Sequence, residues 1–168
     1  MIVDFGNIHG HIIPMKDFGL NRRFTGTIPE IHLDQLKPLD KMAAEFLWDY
    51  ISNSRLYDDT PFKKDFFKTI DKAKIDFHEE GKIKKWLYHR GFPFEKEVFL
   101  SWQPTEAMIV PWKLFIKYFD HFYYSGDLTI FDQSLTWAIL AYHESEIYFG
   151  TNNDFTPGKE FADDQFIW

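Results

Sequence analysis

Three short runs of branched and aromatic residues follow one another between residues 127 and 150, DLTIFD, TWAILAYH and EIYFG, with only turn-forming residues between them. The pattern predicts strands near 127–132, 136–143 and 146–150, with Asp132-Gln133-Ser134 and Glu144-Ser145 as the turns. The middle run is apolar on both of its faces, which suits a central strand lying under a helix. Glu144-Ser145 lacks the Gly or Asn of a tight primed turn, so a slightly longer loop is expected there.

Upstream, the dominant period is helical. Leu39, Met42, Ala43, Phe46, Leu47, Tyr50 and Ile51 fall on one face and predict a helix over 38–54, with Pro38 in its first turn. Thr60-Pro61 reads as a cap and first helical position, and Phe62, Phe66, Ile70, Ala73 and Phe77 continue one side, which predicts a helix over 60–80. Ile83, Trp86, Leu87 and Arg90 suggest another short helix closed by Gly91. EVFLSW, between Pro93 and Pro104, predicts a strand over 97–102. PWKLFIKYFDHFYY leaves a polar stripe of only Lys113, Lys117, Asp120 and His121, so the helix it predicts over 111–123 should be the most buried. Residues 1–37, punctuated by Gly and Pro, read as loops with a short strand, and 151–168 as a tail pinned by aromatics. The fold class is α+β, with helices packed on one face of a small, mainly antiparallel sheet. Its core should contain Trp112, Phe115, Phe119, Leu135, Trp137, Ile139 and Ile147.

A chain of 168 residues fits a single domain spanning 1–168 and buries about 70% of its unfolded surface, enough for a real core. Aromatic residues make up 20% of it, and most of the 19 Phe sit at core spacing, so packing explains them before any stacking on sugars or bases. With no Cys, disulfides, thiolate metal sites and cysteine nucleophiles are excluded, which suits a reducing compartment. No signal peptide and no run of 18 apolar residues is visible, so a soluble, cytoplasmic location is expected.

Charge is unevenly placed. Residues 1–117 carry 18 Lys and Arg against 17 Asp and Glu, whereas 118–168 carry nine acids against Lys159 alone. An acidic face of that kind repels phosphate backbones and anionic lipid heads, which argues against nucleic-acid and membrane partners, and it attracts a basic one. The lysines between Lys63 and Lys85 are interrupted by Asp65, Asp71, Asp76, Glu79 and Glu80, and read as a solvated helix face.

Catalytic signatures are scarce. His9-Gly10-His11 after Asp4 would point two imidazoles one way on a strand and superficially resembles the first strand of metal-dependent amidohydrolases, whose barrel needs about 250 residues. Asp120-His121 and His143-Glu144 are acid and base types whose side chains diverge as chain neighbours. His143, closing an apolar strand, reads as a partly buried, hydrogen-bonded ring. No nucleophile elbow, phosphate-binding loop or dinucleotide fingerprint is present. Neither a catalytic residue, a cofactor nor a metal is therefore expected.

The segment DLTIFDQSLTWAILAYHESEIYFGTN resembles a C-terminal pattern of several families of small bacterial proteins: a strand ending in Asp, a Ser-Leu-x-Trp turn into a second strand, then His-Glu and a closing Ile-Tyr-Phe-Gly strand. The matching positions are Asp132, Ser134, Leu135, Trp137, His143, Glu144, Ile147, Phe149 and Gly150. Those families include immunity proteins that neutralise polymorphic toxins, such as those of contact-dependent growth inhibition. The resemblance implies a non-enzymatic, one-to-one inhibitor of a cognate toxin domain, in many such systems a basic nuclease that an acidic surface would complement. The toxin-facing charges expected on this reading are Asp127, Glu144, Glu146, Asp154, Asp163 and Asp164, in loops and ends of the acidic third. The alternatives are an interaction module of another kind and a small metal-assisted hydrolase using His9 and His11.

Overall fold

In the computed structural model, residues 2–124 and 126–152 are described. The chain opens with short 3-10 turns at Ile8–His11, Met15–Asp17 and Asn21–Arg23, then forms α1 (Glu30–Leu33) and β1 (Lys37–Pro38). Next come α2 (Lys41–Ser54), β2 (Thr69–Lys74), α3 (Glu80–Tyr88), β3 (Glu97–Gln103) and β4 (Glu106–Pro111). Then follow α4 (Trp112–Lys117), α5 (Phe119–Phe122), β5 (Leu128–Phe131), β6 (Trp137–Tyr142) and β7 (Glu146–Thr151). The strands make one antiparallel sheet in the order β1-β4-β3-β5-β6-β7-β2. The fold is α+β, as the sequence pattern predicts.

The central strands carry apolar residues on both faces, and each face is covered. Val98, Leu100, Met108, Val110, Ile130, Ile139 and Ile147 meet Trp86 and Leu87 of α3, Trp112 and Phe115 of α4 and Phe119 of α5. On the other face, Ala107, Ile109, Phe131, Ala138 and Leu140 meet Ala43, Leu47 and Ile51 of α2 together with Leu56, Phe62 and Phe67. The helices therefore occupy both faces of the sheet, a correction to the expected one-sided arrangement. A strand apolar on both sides would otherwise leave one face wet, at a cost of about 25 cal/mol for each Å² of apolar surface. The seven residues expected in the core are all buried.

Three helices differ from expectation. The expected helix over 60–80 does not form: the Thr60–Pro61 peptide is cis, Phe62 and Phe67 fold into the core as loop residues, Thr69–Lys74 pairs with β7, and only a 3-10 turn at Phe77–Glu79 precedes α3. Along β2 exposure alternates, with Ile70 outward and Asp71 inward toward Arg90, so pairing with β7 overrides the apparent helical period. The segment 111–123 breaks at Tyr118, whose φ of −113° and ψ of 31° are not helical, into α4 and α5. Helix α2 begins at Lys41 instead of Pro38, because the Asp40 side chain accepts from the Ala43 N–H at 2.9 Å and so caps it. In the last hairpin Tyr142 pairs with Glu146 across a three-residue loop, and Ser145 takes the left-handed conformation at φ 60°. That is the longer turn its composition predicts.

Candidate functional site

One row across the sheet departs from apolar packing. Ser101 of β3 faces Thr129 of β5, and Thr129 faces Leu140 of β6, all on the side that carries α2. In the neighbouring row the corresponding residues are Phe99, Phe131 and Ala138. Two small hydroxyl residues thus stand where the adjacent row is filled by rings. Helix α2 ends above this row: Arg55 takes the left-handed conformation at φ 64° and turns the chain away, and residues 56–61 run over the gap as a loop.

The result is a pocket of about 380 Å³, near the lower end of small-ligand sites and matched to one side chain or a small molecule. Ser101, Thr129 and Leu140 are its buried floor. Trp48, Tyr57 and Tyr142 are its aromatic walls, and helical spacing from Trp48 through Ile51, Ser52 and Arg55 keeps that side of α2 turned toward it. Asp58, Asp59 and Asp127 stand at the rim against a single cation, Arg55, whose Nε reaches Asp58 at 2.7 Å.

The polar groups of the pocket are unequally satisfied. The Tyr57 and Thr129 hydroxyls share a hydrogen bond of 2.6 Å. Burial raises the Tyr57 pKa well above the ordinary phenol value, and the nearby Asp127 adds to that shift. Asp127 accepts from the His143 N–H at 2.8 Å and from His143 Nδ1 at 2.9 Å, both at Oδ1. The Ser101 hydroxyl is buried, with no hydrogen-bond partner among the described residues. Leaving such a group unpaired costs about 1–3 kcal/mol, which a Val or Ala at that position would avoid.

Of the three described acids among the six expected to face a partner, only Asp127 reaches this pocket. Glu144 is exposed in the hairpin turn that follows His143. Glu146 turns to the edge strand, where Lys72 Nζ holds it at 2.8 Å and brings its carboxyl below the usual range. Asp154, Asp163 and Asp164 lie outside the described residues. Sequence reasoning missed Asp58, Asp59, Trp48, Tyr57 and Ser101, which reach one place only through the end of α2 and the strand register.

The histidine motif does not assemble. His9 and His11 belong to a 3-10 turn and not a strand, so their rings part: His9 Nε2 meets Glu97 at 3.0 Å, and His11 Nδ1 meets Asp40 at 2.8 Å. Burial would raise the Glu97 carboxyl, yet the bonds from Lys37 and His9 bring it below its usual value. No cluster of three or more His, Asp or Glu suited to a metal occurs among the described residues. His143 is exposed where a partly buried ring is expected, but its ring is hydrogen-bonded as expected, to Asp127 and not to Glu144. The lysines at 72, 82 and 84 are engaged with Glu146, Glu79 and Glu80. No helix among the described residues is long and apolar enough to cross a membrane.

Comparison with protein-family models, with curated proteins and with solved structures finds no match to this chain.

Proposed function

We propose that this chain is a cytoplasmic immunity protein, a stoichiometric inhibitor that binds a cognate toxin domain and blocks it without turnover. The observation that carries the reading is the pocket beneath the end of α2, where an aromatic wall and a buried, unpaired hydroxyl sit inside an acidic rim. Tight protein complexes draw most of their affinity from a few central aromatic or arginine contacts in desolvated pockets, while rim charges speed the encounter. Trp48 and Tyr57, each more than a third exposed at the pocket mouth, supply the first element. Asp58, Asp59, Asp127 and the neighbouring Glu144 supply the second. A basic nuclease domain is the partner class that such a surface complements, and the resemblance of residues 127–150 to immunity-protein families points the same way.

The test is co-expression with the toxin domain encoded beside this chain in its own genome. Survival of cells making both, death of cells making the toxin alone, and a one-to-one complex on size exclusion are the expected results. Failure to protect, with both proteins soluble and no complex formed, overturns the reading.

A further inference from the structure

We propose that the pocket formed by Ser101, Thr129, Trp48 and Tyr57 under its acidic rim is the receptor for a single protruding arginine side chain of the toxin partner. The inference rests on the binding role proposed above and gives that site its ligand chemistry.

Four features select this occupant. The buried Ser101 hydroxyl has no partner among the described residues and lines the pocket floor, so it offers an acceptor that an incoming N–H would satisfy. Three carboxylates stand at the rim against one guanidinium, and the only bonds Asp127 accepts, both from His143, fall on Oδ1 and leave Oδ2 open among the described residues. A cation is thus favoured over an anion by charge alone. The walls are aromatic, and a planar guanidinium stacks on aromatic faces while its methylene stem packs against them. Leu140 and Ile51 offer that stem an apolar lining. A lysine ammonium would meet the charge but not the planar stacking, and a carboxylate or phosphate would meet Asp58, Asp59 and Asp127 at close quarters.

The experiment uses the full chain and a defined probe. Acetyl-arginine amide is titrated against the isotope-labelled protein, following the indole N–H signal of Trp48 and the backbone N–H signals of Ser101 and Thr129, with acetyl-citrulline amide as the uncharged isostere and acetyl-glutamate amide as the anion. Saturable shifts of these signals with arginine, at least about five-fold weaker with citrulline and absent with glutamate, are expected. Trp48→Ala, on an exposed position, should weaken arginine binding about five-fold or more. Ser101→Ala should weaken it about three- to ten-fold while raising the unfolding midpoint, because it removes an unpaired buried hydroxyl. Binding and stability then move in opposite directions, which a purely structural serine would not produce.

No saturable shift with arginine, or equal binding of citrulline, overturns the assignment. The outcomes separate from the toxin test. Protection from the toxin without arginine binding sinks the arginine receptor and leaves the immunity role standing. Arginine binding by a chain that protects against no toxin removes the immunity role and retains a cation-selective pocket.

Discussion

Arg90 Nη1 lies 2.8 Å from Asp71 Oδ2, an ion pair whose arginine side chain is wholly enclosed. Arg90 Nε also donates to the Trp86 carbonyl at 2.9 Å, and the guanidinium lies 3.9 Å above the Trp86 ring. This contact ties edge strand β2 to helix α3 and explains why an acid points inward along Thr69–Lys74. Asp71→Ala takes the Asp71 carboxylate away from a buried guanidinium, so a loss of about 3–5 kcal/mol is expected. Urea unfolding measures it, and a loss below about 1 kcal/mol would class the pair with exposed ones.

Gly150 is the second point at which segment 60–74 is locked. A Cβ on Gly150 would lie 2.1 Å from Phe67 Cδ2 and 2.7 Å from its Cγ, so the Phe67 ring occupies the place of a side chain. Gly150→Ala should therefore displace the ring and cost about 1–3 kcal/mol by overpacking. Restoration of stability by Phe67→Leu in the Gly150→Ala background is the confirming result. A single Gly150→Ala variant as stable as the parent would show that the ring shifts freely.

Asp132 shows what the Asp132-Gln133-Ser134 turn into β6 does physically. Its carboxylate accepts from Trp137 Nε1 at 2.8 Å and from the Ser134 N–H at 2.9 Å, and it pairs with Lys96 at 3.1 Å. Partial burial raises its pKa, but the bonds from Ser134, Trp137 and Lys96 outweigh that and leave it below the ordinary Asp value. A depressed folded-state pKa contributes stability that is complete above the unfolded value, near 3.8, and is lost as pH falls through the folded one. Asp132→Asn should lower stability at neutral pH by about 1–3 kcal/mol and flatten the acid limb of the stability profile below pH 4. Parallel acid limbs in parent and variant would contradict this.

The β5–β7 meander was legible because its strands are short, close in sequence and punctuated by Asp132 and Ser145, so local pattern and tertiary pairing agree. Strand β4 was hidden. Its residues Ala107, Met108, Ile109 and Val110 form an apolar run without alternation, buried on both faces, and the Pro104-Thr105 turn and Pro111 that flank it read as breaks. Segment 60–80 misled because Phe62, Phe66 and Ile70 do fall at helical spacing, while the partner that fixes β2 lies some 75 residues further along the chain. The pocket was illegible for a related reason. Trp48, Tyr57, Ser101, Thr129 and Asp127 come from four separate segments, and nothing local marks Ser101 as unpaired.

The two N-terminal histidines have separable roles. His11 bonds to Asp40, the residue that caps α2, whereas His9 meets Glu97 at the surface. His11→Ala should cost about 1 kcal/mol of stability through the weakened cap, and His9→Ala less. On the proposed immunity role, protection should survive both changes together. Stoichiometric zinc in the purified protein that disappears in the double variant would instead make these residues a metal site.

Association with the proposed toxin partner supplies the last prediction, because the acids near the pocket are not equivalent. Glu146 is balanced by Lys72, and Asp58 by Arg55, so removing either exposes a cation and changes the local field by more than one term. Asp59, Asp127 and Glu144 are the informative set: among the described residues Asp59 accepts only a backbone N–H from Lys64, Asp127 is held by His143, and Glu144 is exposed in the turn. Neutral amides at these three positions retain the acceptor oxygens that shape the loops, so the fold should hold. Rim charges act mainly on the encounter, and the triple variant should associate several-fold more slowly with the proposed toxin domain, with a shallower dependence on salt. Trp48→Ala should do the reverse, speeding dissociation while leaving the association rate and its salt slope nearly unchanged, because it removes an anchor and no charge. Association and dissociation rates at two salt concentrations separate the two effects. If the triple variant matches the parent in rate and salt slope, the toxin docks on another face, and the acids around the pocket serve only to keep the surface solvated.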